Sequence, residues 1–412
     1  MKKTLVSLLL VLVMLMSAFG GAFAEETKVL DMLWFSDGQE GASMQALIDE
    51  YESLNPGIEI ELVEVPYADL NNTIRNRLNA NQQPALARTT TIGEFGPYMV
   101  KLDEYLGEDF QDRFVNLTSI IVDDHLVAAT MENTAAGVIY NKTAFDKAGV
   151  EVPSSIEDAW TWDEFVEALK TVMEKGDVMY GLVVDKTFGR YMNFMYQAGG
   201  RCYNDDMTAA AFNSEENRNA IEYFYNLHKD GIVPMGVWLG AENPNTMFRS
   251  GQVAAHIGGS WLITSYDKEI TDFEWGVTYL PKGELSAVQS ACKYLTAFEG
   301  SGMEKEAADF IEWFTRPENF NRYLEPNYFI TSLVDQGEPS ENKYADAFQV
   351  FADEIAANES IIVQEQANPI GSTWQSEVVE MISATLADQM SFDEFVQSVD
   401  DVINEAIEYA AQ

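Results

Sequence analysis

The sequence predicts an α/β protein built as two compact lobes joined by crossing strands. Three observations predict it. The chain opens with alternating strand-like and helix-like segments, the pattern of a parallel sheet with covering helices. The alternation continues through the middle, and the last third turns helix-rich. No internal repeat or low-complexity linker divides the 412 residues. At about 100–200 residues per domain, that length suits two domains or one large bilobal unit.

Residues 28–35 (KVLDMLWF) read as the first strand, followed by a loop over 36–41. Met44, Leu47, Ile48 and Tyr51 then recur at helical spacing, and Asn55-Pro56-Gly57 stops that helix. Residues 58–65 (IEIELVEV) alternate apolar and polar like a strand. A second helix over 69–79 leads to Pro84. Further on, 137–140 reads as a strand and 141–148 as a short helix ended by Gly149. Thr161 and Glu164 form a capping box that opens a long helix. Strands over 179–184, 253–257 and 275–280 and a helix over 215–229 follow. Helices over 305–314, 346–356, 375–387 and 392–409 complete the chain.

The first 24 residues predict export. Lys2 and Lys3 precede a nearly unbroken apolar run from Leu5 to Met16, and Ala22-Phe23-Ala24 supplies a cleavable small-x-small site. The run falls short of the roughly 20 residues that span a bilayer. No cysteine stands near the cleavage point to take a lipid, and no later stretch is apolar enough to span. The expected product is an exported protein, in the periplasm or extracytoplasmic space and not lipid-anchored.

Composition narrows the function. The formal net charge is −42. Such a chain is repelled by nucleic acids and anionic membranes, and a neutral ligand feels little of that field. Aromatic residues make up 12% of the chain, more than a core alone asks for. No phosphate loop, dinucleotide fingerprint or nucleophile elbow occurs, and Gly258-Gly259-Ser260-Trp261 lacks the last glycine of the elbow. The three histidines, His125, His228 and His256, are far apart in sequence. No catalytic residue, metal site or cofactor is assigned. Paired carboxylates of the glycosidase kind carry no signal among 67 acidic residues. Cys202 and Cys292 are the only two cysteines, and in an exported protein they either pair or stay free.

Several segments together resemble a known family. The run Asn141 to Val150 (NKTAFDKAGV), Pro153 and Thr161-Trp162-Asp163-Glu164-Phe165 are similar to a signature of the family 1 extracellular solute-binding proteins, the maltose-binding-protein-like group. Ala198-Gly199-Gly200, the run Met247 to Ala254 (MFRSGQVA), Gly258 to Trp261, Trp275-Gly276-Val277 to Pro281, and Glu306 to Ile311 continue the pattern in order. The likeness spans nearly the whole mature chain. Pro84-Ala85 departs from the family's common Pro-Asp, and the missing lipid-anchor cysteine departs from many single-membrane members.

The resemblance implies the periplasmic-binding-protein-like (class II) fold, with a hinge and an interlobe cleft. It implies crossings near Gly137 and Gly276. The N-lobe is then 25–136 with 277–333, and the C-lobe is 137–276 with 334–412. The implied role is capture of a carbohydrate, an oligosaccharide, for the transmembrane subunits of an ABC permease. The protein is expected to be a monomer, not an enzyme, and not to bind nucleic acid. The alternatives are a polyamine or other small solute on the same fold, and an extracellular glycosidase or lyase.

A sugar offers C–H faces to aromatic rings and hydroxyls to multidentate polar groups. Trp34, Asp37 and Gln39 stand at the carboxyl end of the first strand, where open α/β lobes bind ligands. Asp37 is read as a hydroxyl acceptor, and Trp34 as either a ligand or a core residue. Thr90 and Glu94 lie in the stretch RTTTIGE, where the threonines serve the ligand or cap a helix. Asn133 and Thr134 precede the first crossing. Arg190, placed in a loop before a mid-chain helix, either forks onto hydroxyls or pairs with a carboxylate. Trp238 is placed in an exposed loop. Trp261, the tryptophan of the family's G-x-W, is the foremost stacking candidate, with Trp374 and Tyr294 beside it. Trp160, Trp162 and Trp313 are assigned to packing.

Overall fold

A computed structural model describes residues 27–114, 120–285, 287–329, 331–335, 342–368 and 370–411. The expected signal segment, 1–24, lies outside the described residues. Ten strands are described: β1 (Lys28–Trp34), β2 (Ile58–Glu64), β3 (Leu86–Thr89), β4 (Ile121–Val122), β5 (His125–Leu126), β6 (Ala129–Asn141), β7 (Tyr180–Val184), β8 (Val253–Gly259), β9 (Trp275–Thr278) and β10 (Ser290–Ala297). β4 and β5 form a separate hairpin. The other eight make one sheet in the order β2-β1-β3-β10-β6-β8-β7, with β9 also on β6.

The long strand β6 makes the sheet continuous. Thr130–Ala135 pair with β10 in the first half. Ala136–Tyr140 pair with β8 in the second half, and Val138–Asn141 with β9. Two cores lie on this frame. One gathers Leu30, Leu47, Phe95, Leu295 and Phe314, and the other Val138, Phe165, Val183, Ile257 and Phe395. The fold is thus two α/β lobes sharing crossing strands. Leu280, Ala287 and Val288 are buried in the second core, because β9 stays paired with β6; the first core resumes at Tyr294.

Local chemistry explains the element boundaries. Asn141 caps the helix Lys142–Ala148 by accepting from the Ala144 amide at 2.9 Å, and Gly149 ends it at φ 70°, a conformation that favours glycine. The capping box of Thr161 and Glu164 opens Trp162–Lys175 as the sequence indicates.

Backbone of 287–290 is held by side-chain amides as well as by strand pairing. Gln197 donates to the Ala287 carbonyl at 2.9 Å. Asn358 accepts from the Val288 amide at 2.7 Å and donates to its carbonyl at 3.1 Å. Asn193 accepts from the Gln289 amide at 2.6 Å, and Gln366 accepts from the Ser290 amide at 2.9 Å.

One buried acid near this segment gives a pH prediction. Glu354, in the helix Ala345–Ala357, accepts from the Leu280 amide at 2.6 Å. Burial pushes its carboxyl from 4.5 up to about 7, and Asp353 adds to the rise. A raised folded-state value means that the contribution is fully present below pH 4.5 and is lost as pH rises through 7. Glu354→Gln keeps an acceptor for Leu280. It is expected to flatten that loss and to gain about 3 kcal/mol at pH 8, read by urea unfolding at pH 5 and pH 8. An unchanged pH profile would refute it.

Candidate functional site

The site begins where β1 ends. The chain turns through Phe35 to Gln39, and Glu40 opens the helix Glu40–Leu54. The Glu40 carboxylate turns back to accept from the amides of Asp37 and Gly38, the latter at 2.8 Å, which shapes the loop. Beneath it lies Arg88 of β3, fully buried. Its guanidinium donates to Glu40 at 3.1 Å and to Glu132 of β6 at 2.5 Å, and it lies 4.9 Å from the Trp34 ring and 4.4 Å from the Phe35 ring. Lys293 of β10 reaches both Asp37 and, at 3.4 Å, Glu132. The loop that carries Asp37 is therefore tied by ions to both crossing strands. Burial works to raise the Asp37 carboxyl, but Lys293, Arg88 and Arg190 outweigh it and hold it below the ordinary value.

The second lobe supplies the facing wall. Arg190 sits in the first turn of the helix Phe188–Gln197, which Thr187 caps, and not in a loop as the sequence suggests. Its Nε donates to Asp185 at 3.3 Å, an Nη donates to Gln289 just before β10, and the guanidinium lies 4.6 Å over the Trp261 ring. Gly189 leaves room for this arrangement, since a Cβ there would meet the Gln289 amide at 2.5 Å. Trp261 follows β8 in a short turn, partly buried, its ring packed on Gly259. Burial lowers the Arg190 guanidinium and Asp185 opposes that; Asp185 itself is held below its ordinary value by His256 and Arg190 against the effect of burial. A Cβ on Gly38 would lie 3.7 Å from Thr264 Cβ, so the Asp37 loop meets the second lobe directly.

Of the candidates read from sequence, Asp37, Arg190 and Trp261 are neighbours: Arg190 lies over the Trp261 ring and acts electrostatically on Asp37. Thr90 is near, its hydroxyl 3.4 Å from the Tyr67 hydroxyl. The others lie elsewhere. Trp34 is buried in the first core, edge-on to Tyr323, with Nε1 on Ser36. Trp238 is fully buried and donates to the Val184 carbonyl at 3.1 Å; the expected exposed loop is a one-turn helix, Met235–Trp238. Trp374 is buried beside Phe188, its Nε1 donating to the Tyr203 hydroxyl at 3.1 Å. Thr134 bonds the Ala291 carbonyl between the crossing strands, and Tyr294 is buried in the first core. Glu94 forms a two-pronged ion pair with Arg75. Gln39 is exposed and lines a separate hollow with Ser43, Lys268 and Arg322. Trp160, Trp162 and Trp313 pack, as expected.

Sequence reasoning missed Tyr67, Asp185, Gln289 and Lys293. Asp185 directly follows β7, so the strand-end rule that selected Asp37 selects it too. Tyr67 opens the helix Tyr67–Asn79 after β2, is 56% exposed and lies against Phe35. Lys293 lies inside a strand whose alternation its own charge disguised.

Two hinged α/β lobes with a cleft at the crossing strands define a clamp-type solute-binding protein. Residues 36–319 match the family described as bacterial extracellular solute-binding protein, and the chain belongs to that family. The family places it outside the cytoplasm. A multiple sugar-binding protein of Streptococcus mutans is 20% identical over 332 residues, covering 73% of this chain and 74% of the relative. An ABC substrate-binding protein from Listeria monocytogenes, solved in complex with cycloalternan, superposes with a TM-score of 0.79 at 18% identity over 92% of this chain and 99% of that one. The maltose/maltodextrin-binding domain from Bdellovibrio bacteriovorus, solved with maltotriose, gives a TM-score of 0.79 at 16% identity over 92% of this chain and all of the other.

Proposed function

We propose that this protein captures a neutral carbohydrate, an oligosaccharide, between its lobes and delivers it to the transmembrane subunits of an ABC importer. The observation that carries this reading is the meeting of Trp261, Arg190 and Asp37, where the carboxylates among the described residues each have a cation partner within the protein. Asp37 is matched by Lys293, Asp185 by Arg190, and Glu132 by Arg88 and Lys293. A neutral solute adds no charge to this paired set. An indole face and a planar guanidinium suit the two surfaces of a sugar. Relatives named for sugars and neighbours solved with cycloalternan and maltotriose support the same class.

In this reading the lobes are close to 25–136 with 277–333, and 137–276 with 334–412, with 277–288 moving with the second. The chain acts as a monomer, without nucleic acid and without turnover, in the extracytoplasmic space. Tryptophan fluorescence titrated with maltose, maltotriose, raffinose and arabino-oligosaccharides is expected to saturate for at least one of them, with no reducing ends released and no response to spermidine. Silence across the sugars, or a spermidine response, would sink the reading.

A further inference from the structure

Behind Arg190 lies a buried polar chain that ligand contact does not require. His256, in the middle of β8, is fully buried. Its Nε2 is 3.0 Å from Asp185 Oδ1, and its Nδ1 is 2.7 Å from the Tyr266 hydroxyl, which lies 3.0 Å from Asn245 Oδ1. Asp185 in turn holds Arg190 through its other oxygen. The chain thus runs from the cleft to the helix Pro244–Arg249. Proton counting gives it two states. With Tyr266 donating to Asn245 Oδ1, the tyrosine can only accept from His256, so both ring nitrogens carry protons and the ring is cationic. With the Asn245 amide turned over, its NH₂ donates to Tyr266, Tyr266 donates to Nδ1, and the ring is neutral. The same heavy atoms satisfy both.

The groups that face the ring are few. On the neighbouring strands its register partners are Ile139 and Val183, which carry no charge. Asp185 follows β7, and Arg190 stands on the helix beyond it. Tyr266 comes from the helix Ile263–Glu269, and Arg249 acts on Tyr266 while paired with Glu269. A proton on His256 therefore places a second cation against the one carboxylate that holds Arg190.

We infer that Asp185 and His256 are positioning residues for Arg190, and that the proton on His256 decides how firmly the guanidinium covers the Trp261 face. The functional meaning rests on the sugar reading above, because the covered face is the one a sugar would take. Protonation sets His256 and Arg190 in competition for Asp185, which loosens Arg190 and exposes the indole. Imidazole is the side chain whose charge ordinarily changes between pH 5 and 8.

The test needs no sugar, so it stands or falls apart from the carbohydrate assignment. Acrylamide quenching of Trp261, isolated as the difference between the full protein and Trp261→Phe, is followed from pH 5 to 8. Quenching is expected to be stronger at the acid end, through one ionisation. Asp185→Asn is expected to raise it and remove the pH dependence, and His256→Gln to remove the dependence. Tyr266→Phe keeps the ring, removes only the hydroxyl, and is expected to move the midpoint should the buried His256 replacement not fold. Glu354→Gln, which removes a buried acid whose carboxyl burial raises to about 7, is expected to leave the curve alone. Quenching that is flat with pH in the parent overturns the inference. So does a pH dependence unchanged in the folded His256 or Tyr266 variants.

Discussion

Arg88→Met is expected to lower the stability of the protein by about 3–5 kcal/mol, the range found when one member of a buried ion pair is removed. The loss comes less from the bonds of Arg88 than from what remains. Glu40 and Glu132 are 1% and 0% exposed, and without the guanidinium the nearest cation to Glu132 is Lys293 at 3.4 Å. Guanidinium chloride unfolding at pH 7 reads the loss directly. Glu40→Gln and Glu132→Gln added to Arg88→Met are expected to return part of it, because neutral amides carry no uncompensated charge into the core. A single variant as stable as the parent would mean that the three-way ion cluster does not hold the Asp37 loop.

The second large effect belongs to Trp261. Trp261→Ala is expected to weaken binding of whichever panel sugar responds by about 2 kcal/mol or more, roughly 30-fold, as for aromatic residues at the centre of an interface. Its ring is partly exposed at the end of β8, so the melting temperature is expected to change little. Calorimetry with the responding sugar and a thermal melt of both proteins separate the two effects. Undiminished affinity would remove Trp261 from the site, and with it the main support for a stacking mode.

The frame of the fold was legible where packing imposes a simple period. Residues 58–65 alternate because one strand face is covered, and the capping box of Thr161 and Glu164 stands in the sequence as it does in the structure. β3 and β10 were not legible. Each carries a buried cation, Arg88 or Lys293, in the middle of a short strand, and that cation breaks the apolar pattern because it serves an ionic contact made through the fold. The site was readable only in part for a related reason. Asp37, Arg190 and Trp261 were found through strand ends and aromatic type. Trp238 and Trp374 share that chemistry, and only the three-dimensional packing assigns them to the core. Flanking Gly236-Val237 suggested a loop at Trp238, whereas a single helical turn carries the indole inward to cap the carbonyl at the end of β7.

The amide-held segment 287–290 has a consequence for life outside the cytoplasm. Surroundings there change in salinity, and a chain with net charge −42 feels each change through its surface ion pairs, which are screened over about 10 Å at 0.1 M salt. Asn193, Gln197, Asn358 and Gln366 carry no net charge, and their bonds to the crossing segment act over contact distance. A change of salinity therefore alters the surface field while leaving these amide bonds to 287–290 as they were.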